Sequence, residues 1–214
     1  MTCARAARAA PSAQPTEGVT PMRLRLMPLI ACLALCPLVA TLAEAKVVAY
    51  TLDAAASTVA FETDFGPDLI TGTIPLLSAD VALDFDQIRN CTVAVALDVT
   101  GATASFPFAA QALKGPKVLD AASFPELTFQ STSVARKGDV AVVDGTLTIR
   151  GITHPATFIA RISRPAGSAE GDFAHLTVLL TGAVKRSDFG AVGWLDLVGD
   201  EVRISITARI DVTG

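Results

Sequence analysis

Few side chains in this sequence are equipped for covalent chemistry. The chain of 214 residues holds two histidines and four cysteines. His154 stands beside Pro155 and reads as the cap of a strand start, while His175 lies on a separate run. Neither has a serine or cysteine placed to form a nucleophile–base pair. The acids are scattered, and no HExxH, CxxC or GxSxG pattern occurs after residue 45. The same few histidines and cysteines give a multi-ligand zinc site little to draw on. Cys3, Cys32 and Cys36 precede residue 46, which leaves Cys91 alone at the head of Cys91-Thr92-Val93-Ala94-Val95-Ala96-Leu97. In such an alternating run a lone thiol reads as a small buried hydrophobe rather than a nucleophile. The sequence thus names no catalytic residue, no metal site and no cofactor, and non-covalent binding becomes the chemistry to look for.

Composition narrows the partners. Lys plus Arg is 17 and Asp plus Glu is 21, a net charge of −4. That balance lacks the broad basic field of a nucleic-acid binder. With 51% hydrophobic and 18% charged residues, the chain is also too apolar to be disordered.

The first fifth of the chain is of a different kind. Residues 1–21 are rich in Ala, Pro, Ser and Thr and read as a non-native or unstructured extension ahead of a true start at Met22. Met22-Arg23-Leu24-Arg25 is a cationic start, Leu26 to Leu42 is almost wholly apolar, and Ala43-Glu44-Ala45 is a small-residue cleavage box. In that order these make residues 22–45 a secretory signal peptide, cut after Ala45. A membrane anchor would want about 20 apolar residues, and this run is shorter and carries Pro28 and Pro37. Leu29-Ile30-Ala31-Cys32 fits a lipoprotein box, but the apolar run continues beyond Cys32. The exported part is residues 46–214, a single domain with no membrane span, large enough to bury a core. Its lone Cys91 allows no internal disulfide.

The exported part alternates with period two. Val202-Arg203-Ile204-Ser205-Ile206-Thr207-Ala208-Arg209-Ile210 is apolar at every second position, and Val81-Ala82-Leu83-Asp84-Phe85 keeps the same beat. Looser versions occupy 57–65, 70–77, 91–99, 127–134, 139–150, 156–163 and 173–185. Turn signals such as Lys137-Gly138-Asp139 and Arg164-Pro165-Ala166-Gly167 separate them. Many short strands joined by hairpin turns predict an all-β antiparallel sandwich or barrel. The segment 106–126 breaks the beat. Pro107 is suited to a first helical turn, and Phe106, Ala109, Ala110 and Leu113 fall on one helical face. Gly115-Pro116 stops the helix, and a second short turn near Val118 to Ala122 is expected to follow. This short helical element is placed to act as a lid over one end. A barrel of about eight strands is wide enough to be filled by side chains or to hold one small ligand. Residue composition leaves both interiors open.

At this point the residues carry a resemblance. Tyr50-Thr51-Leu52-Asp53 with Ser57-Thr58-Val59-Ala60-Phe61, then Gly72, then Phe124-Pro125-Glu126-Leu127-Thr128-Phe129-Gln130-Ser131 stand in order. Gly145-Thr146-Leu147-Thr148-Ile149-Arg150-Gly151-Ile152-Thr153-His154-Pro155 and Arg186-Ser187-Asp188-Phe189-Gly190 follow. Across 48–213 this pattern resembles the YceI-like proteins, a bacterial periplasmic lipid- and polyisoprenoid-binding family. The resemblance implies an extended, lipocalin-like antiparallel barrel with a helix near one end. It also implies an apolar tunnel that holds an amphiphilic isoprenoid, a polyprenyl phosphate or a quinone. The lid string Leu113-Lys114-Gly115-Pro116 and the pair His154 and Ala156 depart from the commoner family pattern.

Three functions follow as alternatives. The first is a periplasmic carrier or store of such a lipid. A tail that removes about 500 Å² of apolar surface from water gains roughly 12 kcal/mol gross, against an association cost of several to about 15 kcal/mol. Its tail-lining candidates are Phe61, Phe106, Phe108, Leu113, Leu119, Phe129, Leu147, Phe158, Leu179 and Trp194, and its head-group candidates are Lys114, Lys117 and Arg186. Arg186 has a competing structural role, pairing with Asp188 to pin the turn before Phe189-Gly190. The second is a lipocalin-like enzyme, for which the chain offers little. The third is an interaction or stress-response module of a membrane quinone or cytochrome system, with sheet edges free to pair in a homodimer.

Overall fold

The computed structural model describes residues 46–213, so the expected extension, signal peptide and cleavage point lie outside the described residues. Ten strands follow in chain order. They are β1 (Val48–Phe65), β2 (Asp68–Thr73), β3 (Leu76–Leu83), β4 (Thr92–Asp98), β5 (Thr103–Ala104), β6 (Glu126–Lys137), β7 (Val140–Ile149), β8 (Ile152–Ser163), β9 (His175–Lys185) and β10 (Val198–Val212). One helix, α1 (Pro107–Lys114), lies between β5 and β6. Eight strands form a closed antiparallel barrel in the order β1-β3-β4-β6-β7-β8-β9-β10, with β10 returning to β1. The short β2 and β5 extend the sheet beside the second half of β1.

Closure depends on β1 changing partners. Val48–Tyr50 pair with β3, whereas Ala60–Phe65 pair with β2, and the opposite edge of β1 runs along β10. The register on β10 breaks between Asp53 and Thr58. There Asp53 accepts N–H bonds from Ala55 and Ala56 at 3.0 and 3.1 Å, and Arg209 donates its N–H to the Ser57 hydroxyl at 2.9 Å. Side chains thus meet the backbone groups that the ladder leaves over. This bulge hides the first half of β1 from a search for alternation.

Two prolines shift other boundaries. The expected strand 70–77 is two strands, because Ile74-Pro75 separates β2 from β3. Pro155, in contrast, lies inside β8 opposite Thr146. The hairpin closes on Ile149 and Ile152 around Arg150 and Gly151, at φ 54° and 72°, a two-residue turn. Alternation from that closing pair puts Pro155 at a position whose missing N–H faces away from β7. On that side β8 pairs with β9 only over Ile159–Ser163.

The two ends of the barrel differ. Tyr50, Leu83, Leu176 and Ile210 are packed together at one. Phe85 stacks on Phe173 there at 4.1 Å, and the Tyr50 hydroxyl donates to the Phe173 carbonyl at 3.0 Å. The other end carries α1 and the segments 115–119 and 190–197. At eight residues α1 is too short to persist alone. It is tied down by Lys114 Nζ donating to the Thr100 carbonyl and by the Leu119 and Ala121 N–H groups donating to the carbonyls of Leu113 and Lys114. Arg150 Nη1 joins the hairpin to this lid, donating to Val118 O and Gly190 O at 2.9 and 3.0 Å. The helix faces inward through Phe108, Ala109, Ala112 and Leu113 rather than through the expected Phe106, Ala109, Ala110 and Leu113. Phe106 is the extended N-cap residue, and its ring stacks on Phe108 at 5.7 Å.

At the packed end His175 and Asp211 are register partners on β9 and β10, with Nδ1 and Oδ1 2.6 Å apart. The hydrogen bond and charge of Asp211 raise the His175 pKa above its ordinary 6.5. A raised basic pKa stabilises the fold while His175 is protonated, and that stabilisation is lost as pH rises through the raised value. Both groups are exposed, so the effect is small. Thermal denaturation should show a slightly lower Tm at pH 8.5 than at pH 5.5. His175→Gln should remove that difference.

Candidate functional site

The interior is hollow. Side chains from all eight barrel strands, the β2–β5 extension and the lid surround one elongated cavity of about 630 Å³. On β10 the lining runs from Val198 to Ile210, about 40 Å along the strand at ~3.3 Å per residue. Allowing for strand tilt, that is about 30 Å along the barrel axis. The inward residues of β10 are Val202, Ile204, Ile206, Ala208 and Ile210, the apolar members of its alternation.

Only Thr63 and Arg186 bring a hydroxyl or a charge to this lining, and both are committed elsewhere. The Thr63 hydroxyl donates towards Gly199 O and Glu201 O at 3.1 and 2.9 Å. Arg186, 7% exposed, donates Nε to Gly199 O, Nη1 to Ala191 O and Gly193 O, and Nη2 to Val198 O, at 2.6–2.8 Å. Four of its five N–H donors are thus spent on carbonyls of one irregular segment. Burial lowers its pKa, and the charge of Asp200 works against that. Among the described residues no ion pair joins Arg186 to Asp188, and the turn is pinned instead by Asp200, which accepts from the Ser187 N–H and hydroxyl at 2.9 and 2.8 Å. Burial alone would raise the Asp200 pKa, but the Ser187 bonds and the cations Arg186 and Lys185 outweigh it and hold the carboxyl low. A cavity walled this way offers water almost no partners and suits an apolar guest.

Phe61, Phe108, Leu113, Leu119, Phe129, Leu147, Phe158 and Trp194 line the cavity, as does Arg186. Phe106 and Leu179 do not. Leu179 is corrected to the outer face, because strand alternation turns its neighbours Val178 and Leu180 inward instead. Lys114 is held on Thr100 O, and the exposed Lys117 ammonium lies 5.7 Å over the Trp194 ring. Trp194 itself is fixed by backbone in the left-handed region, φ 53°, with its carbonyl accepting from Leu197 and Val198. Phe108, Trp194 and Leu197 line the cavity and are also 67%, 46% and 60% exposed. They mark the mouth beside the lid.

Cys91 also lines the cavity. Burial pushes its thiol pKa up, and Sγ accepts from the Asp84 N–H at 3.2 Å. His154 lies edge-on to Phe189 at 5.3 Å. Neither His154 nor His175 is part of the lining.

Three glycines escaped notice as site residues. Gly72, Gly145 and Gly182 share the inward parity of the lining residues on β2, β7 and β9. A Cβ at Gly72 would collide with the Phe61 ring and one at Gly145 with the Phe129 ring, while one at Gly182 would lie 2.7 Å from Phe158. Each phenylalanine ring therefore packs against a glycine of the neighbouring strand, in space that a Cβ would take. A glycine at an inward position of an otherwise alternating run, as in Val143-Asp144-Gly145-Thr146-Leu147, is the sequence signal for this arrangement.

The profile of the YceI-like domain family matches residues 50–210. Protein YceI of Salmonella arizonae and that of Salmonella newport are each 32% identical over 101 residues, 45% of this chain and 50% of theirs. The chain thus spans about half the length of the curated relatives it matches. Among solved structures, Burkholderia cenocepacia BcnA superposes with a TM-score of 0.66 at 23% identity, covering 74% of this chain and 98% of that one. The Campylobacter jejuni YceI protein gives 0.55 at 20% identity, covering 67% and 85%. These structures share the barrel.

The Arg186 contacts yield a stability test. Arg186→Lys keeps the charge but cannot serve four carbonyls. It should cost about 3 kcal/mol, a fall of roughly 6–12 °C in Tm. Asp188→Asn should stay within about 0.5 kcal/mol of the unmodified protein.

Proposed function

The chain belongs to the YceI-like domain family, and on that premise we propose that it binds one long-chain isoprenoid lipid, of polyprenyl phosphate or quinone type, inside the barrel. It acts as a carrier or store in the periplasm after removal of the segment ending at Ala45. The observation that supports this is the cavity itself, about 630 Å³ with one hydroxyl and one charged side chain in its wall, both hydrogen-bonded to the protein. Burial of an apolar tail is the driving force such a wall can supply. A preformed cavity keeps the ordering cost low.

The tail enters past Phe108, Trp194 and Leu197, and the head group stays at the mouth. Lys117, exposed beside Trp194, is the cation best placed to meet a phosphate there, with Lys114 behind it. Arg186 contributes its fixed charge near the lid rather than a free side chain. Binding is favoured over catalysis because the wall presents no carboxylate or imidazole, and the one thiol on it has its pKa raised.

Organic extraction of the purified protein followed by mass spectrometry should recover a prenyl lipid at near-stoichiometric yield. A protein that elutes empty and takes up no added prenol would end the proposal. Lys117→Glu should weaken a prenyl phosphate by about fivefold, the value of roughly 1 kcal/mol at an exposed charge pair, and leave the uncharged prenol unchanged. Isothermal titration with both ligands checks this.

A further inference from the structure

Resting on the binding function proposed above, we infer that the three phenylalanine–glycine pairs gauge the bore and select a single-tailed lipid of about twenty tail carbons. The pairs are not scattered. Gly72 on β2 is the register partner of Phe61 on β1, Phe61 of Ile204 on β10, and Ile204 of Gly182 on β9. Phe158 of β8 lies against Gly182 and is the register partner of Val143 on β7. Phe129, whose ring covers Gly145, meets Phe158 edge-to-face at 5.2 Å. Together they form a belt across the wall. Gly182 is three residues from the lid end of β9 at Lys185, so the belt lies nearer the lid than the packed end, about 10 Å along that strand from its last residue at ~3.3 Å per residue.

The glycines set the calibre of this belt. With glycine opposite, each ring settles into the space that a Cβ would fill. With any Cβ opposite, the ring must rotate inward and close the passage to the deeper half. The size of the guest follows from the space beyond and around the belt. About 630 Å³ holds on the order of twenty water-sized groups at roughly 30 Å³ each, and a methylene is of similar size. One chain of that length, laid out along an axis of about 30 Å, fills the hollow. A two-tailed phospholipid must bring two chains abreast, and the belt admits one chain at a time.

The chain holds one tryptophan, Trp194, at the mouth, so its fluorescence reports occupancy directly. Geraniol, farnesol, geranylgeraniol and undecaprenol form the test series, with dioctanoylphosphatidylglycerol, whose two short tails together stay within that volume, as the two-tailed probe. In the unmodified protein affinity should rise by about tenfold or more per isoprene unit, below the ideal of about fourfold per methylene. It should level off at geranylgeraniol, and the phospholipid should not compete. Gly182→Ala should move the plateau back to farnesol and weaken geranylgeraniol about tenfold. Gly182→Ala with Phe158→Leu should restore it, and Phe158→Leu alone should let the phospholipid compete. Circular dichroism and Tm verify folding of each variant, and if Gly182→Ala does not fold, the Phe158→Leu result decides. Unmodified protein that binds geranylgeraniol while Phe158→Leu still excludes the phospholipid, or while a folded Gly182→Ala keeps the same length series, overturns the gauge and leaves the binding function standing. Unmodified protein that binds no prenol overturns both.

Discussion

A protein that surrounds empty space has to be held together by its wall, and here the wall is a ring of backbone hydrogen bonds that closes on itself. The pairing of β1 with β10 completes that ring. Every barrel strand then has neighbours on both sides for part of its length, and the interior is relieved of the task of joining two layers. In a sandwich the facing side chains must interdigitate to hold the sheets together. In this barrel they need only be apolar and lie close to the wall. The hollow is therefore a consequence of closure, and Gly72, Gly145 and Gly182 give the rings of Phe61, Phe129 and Phe158 room against its wall.

The irregular end of the barrel uses a second device. Segments 115–119 and 190–197 and the first two residues of β10 present carbonyls that two arginines collect. Arg150 takes Val118 and Gly190, and Arg186 takes Gly199, Ala191, Gly193 and Val198. A guanidinium is suited to this because its donors are rigidly splayed and number five. The arrangement also holds Trp194 at the mouth, since the carbonyls on either side of it are fixed by Arg186. Order at the lid thus comes from charge-assisted bonds to backbone rather than from ion pairs.

Much of this was legible in the sequence, for identifiable reasons. Strict alternation in Val202–Ile210 marked β10 and its inward face correctly, because one face is buried along its whole length. Pro107 and Gly115-Pro116 bounded α1, since both act locally. The misses share a cause, which is that they depend on partners distant in sequence. The first half of β1 was hidden because the bulge at Asp53–Thr58 resets its register. Pro155 looked like a strand start because its tolerance depends on which edge of β8 faces β9. Leu179 and Val178 are equally apolar, so only closure of the barrel tells inside from outside. The role of Arg186 could not be read because its acceptors are main-chain carbonyls, which carry no signature in residue type. Gly72 and Gly145 stood within the family pattern, but the ring each one accommodates lies on another strand.

The incomplete lacing between β8 and β9 has a mechanical consequence. Their ladder ends at the pair Ile159 and Thr181, and above it Ala156 and Thr157 face Ala183 and Lys185 across a small cleft. A seam already open there can part further without breaking a backbone hydrogen bond between the two strands. Val184 and Phe189 stand between that cleft and the main hollow, belonging to the walls of both. The unlaced seam is thus separated from the vessel's contents by two side chains.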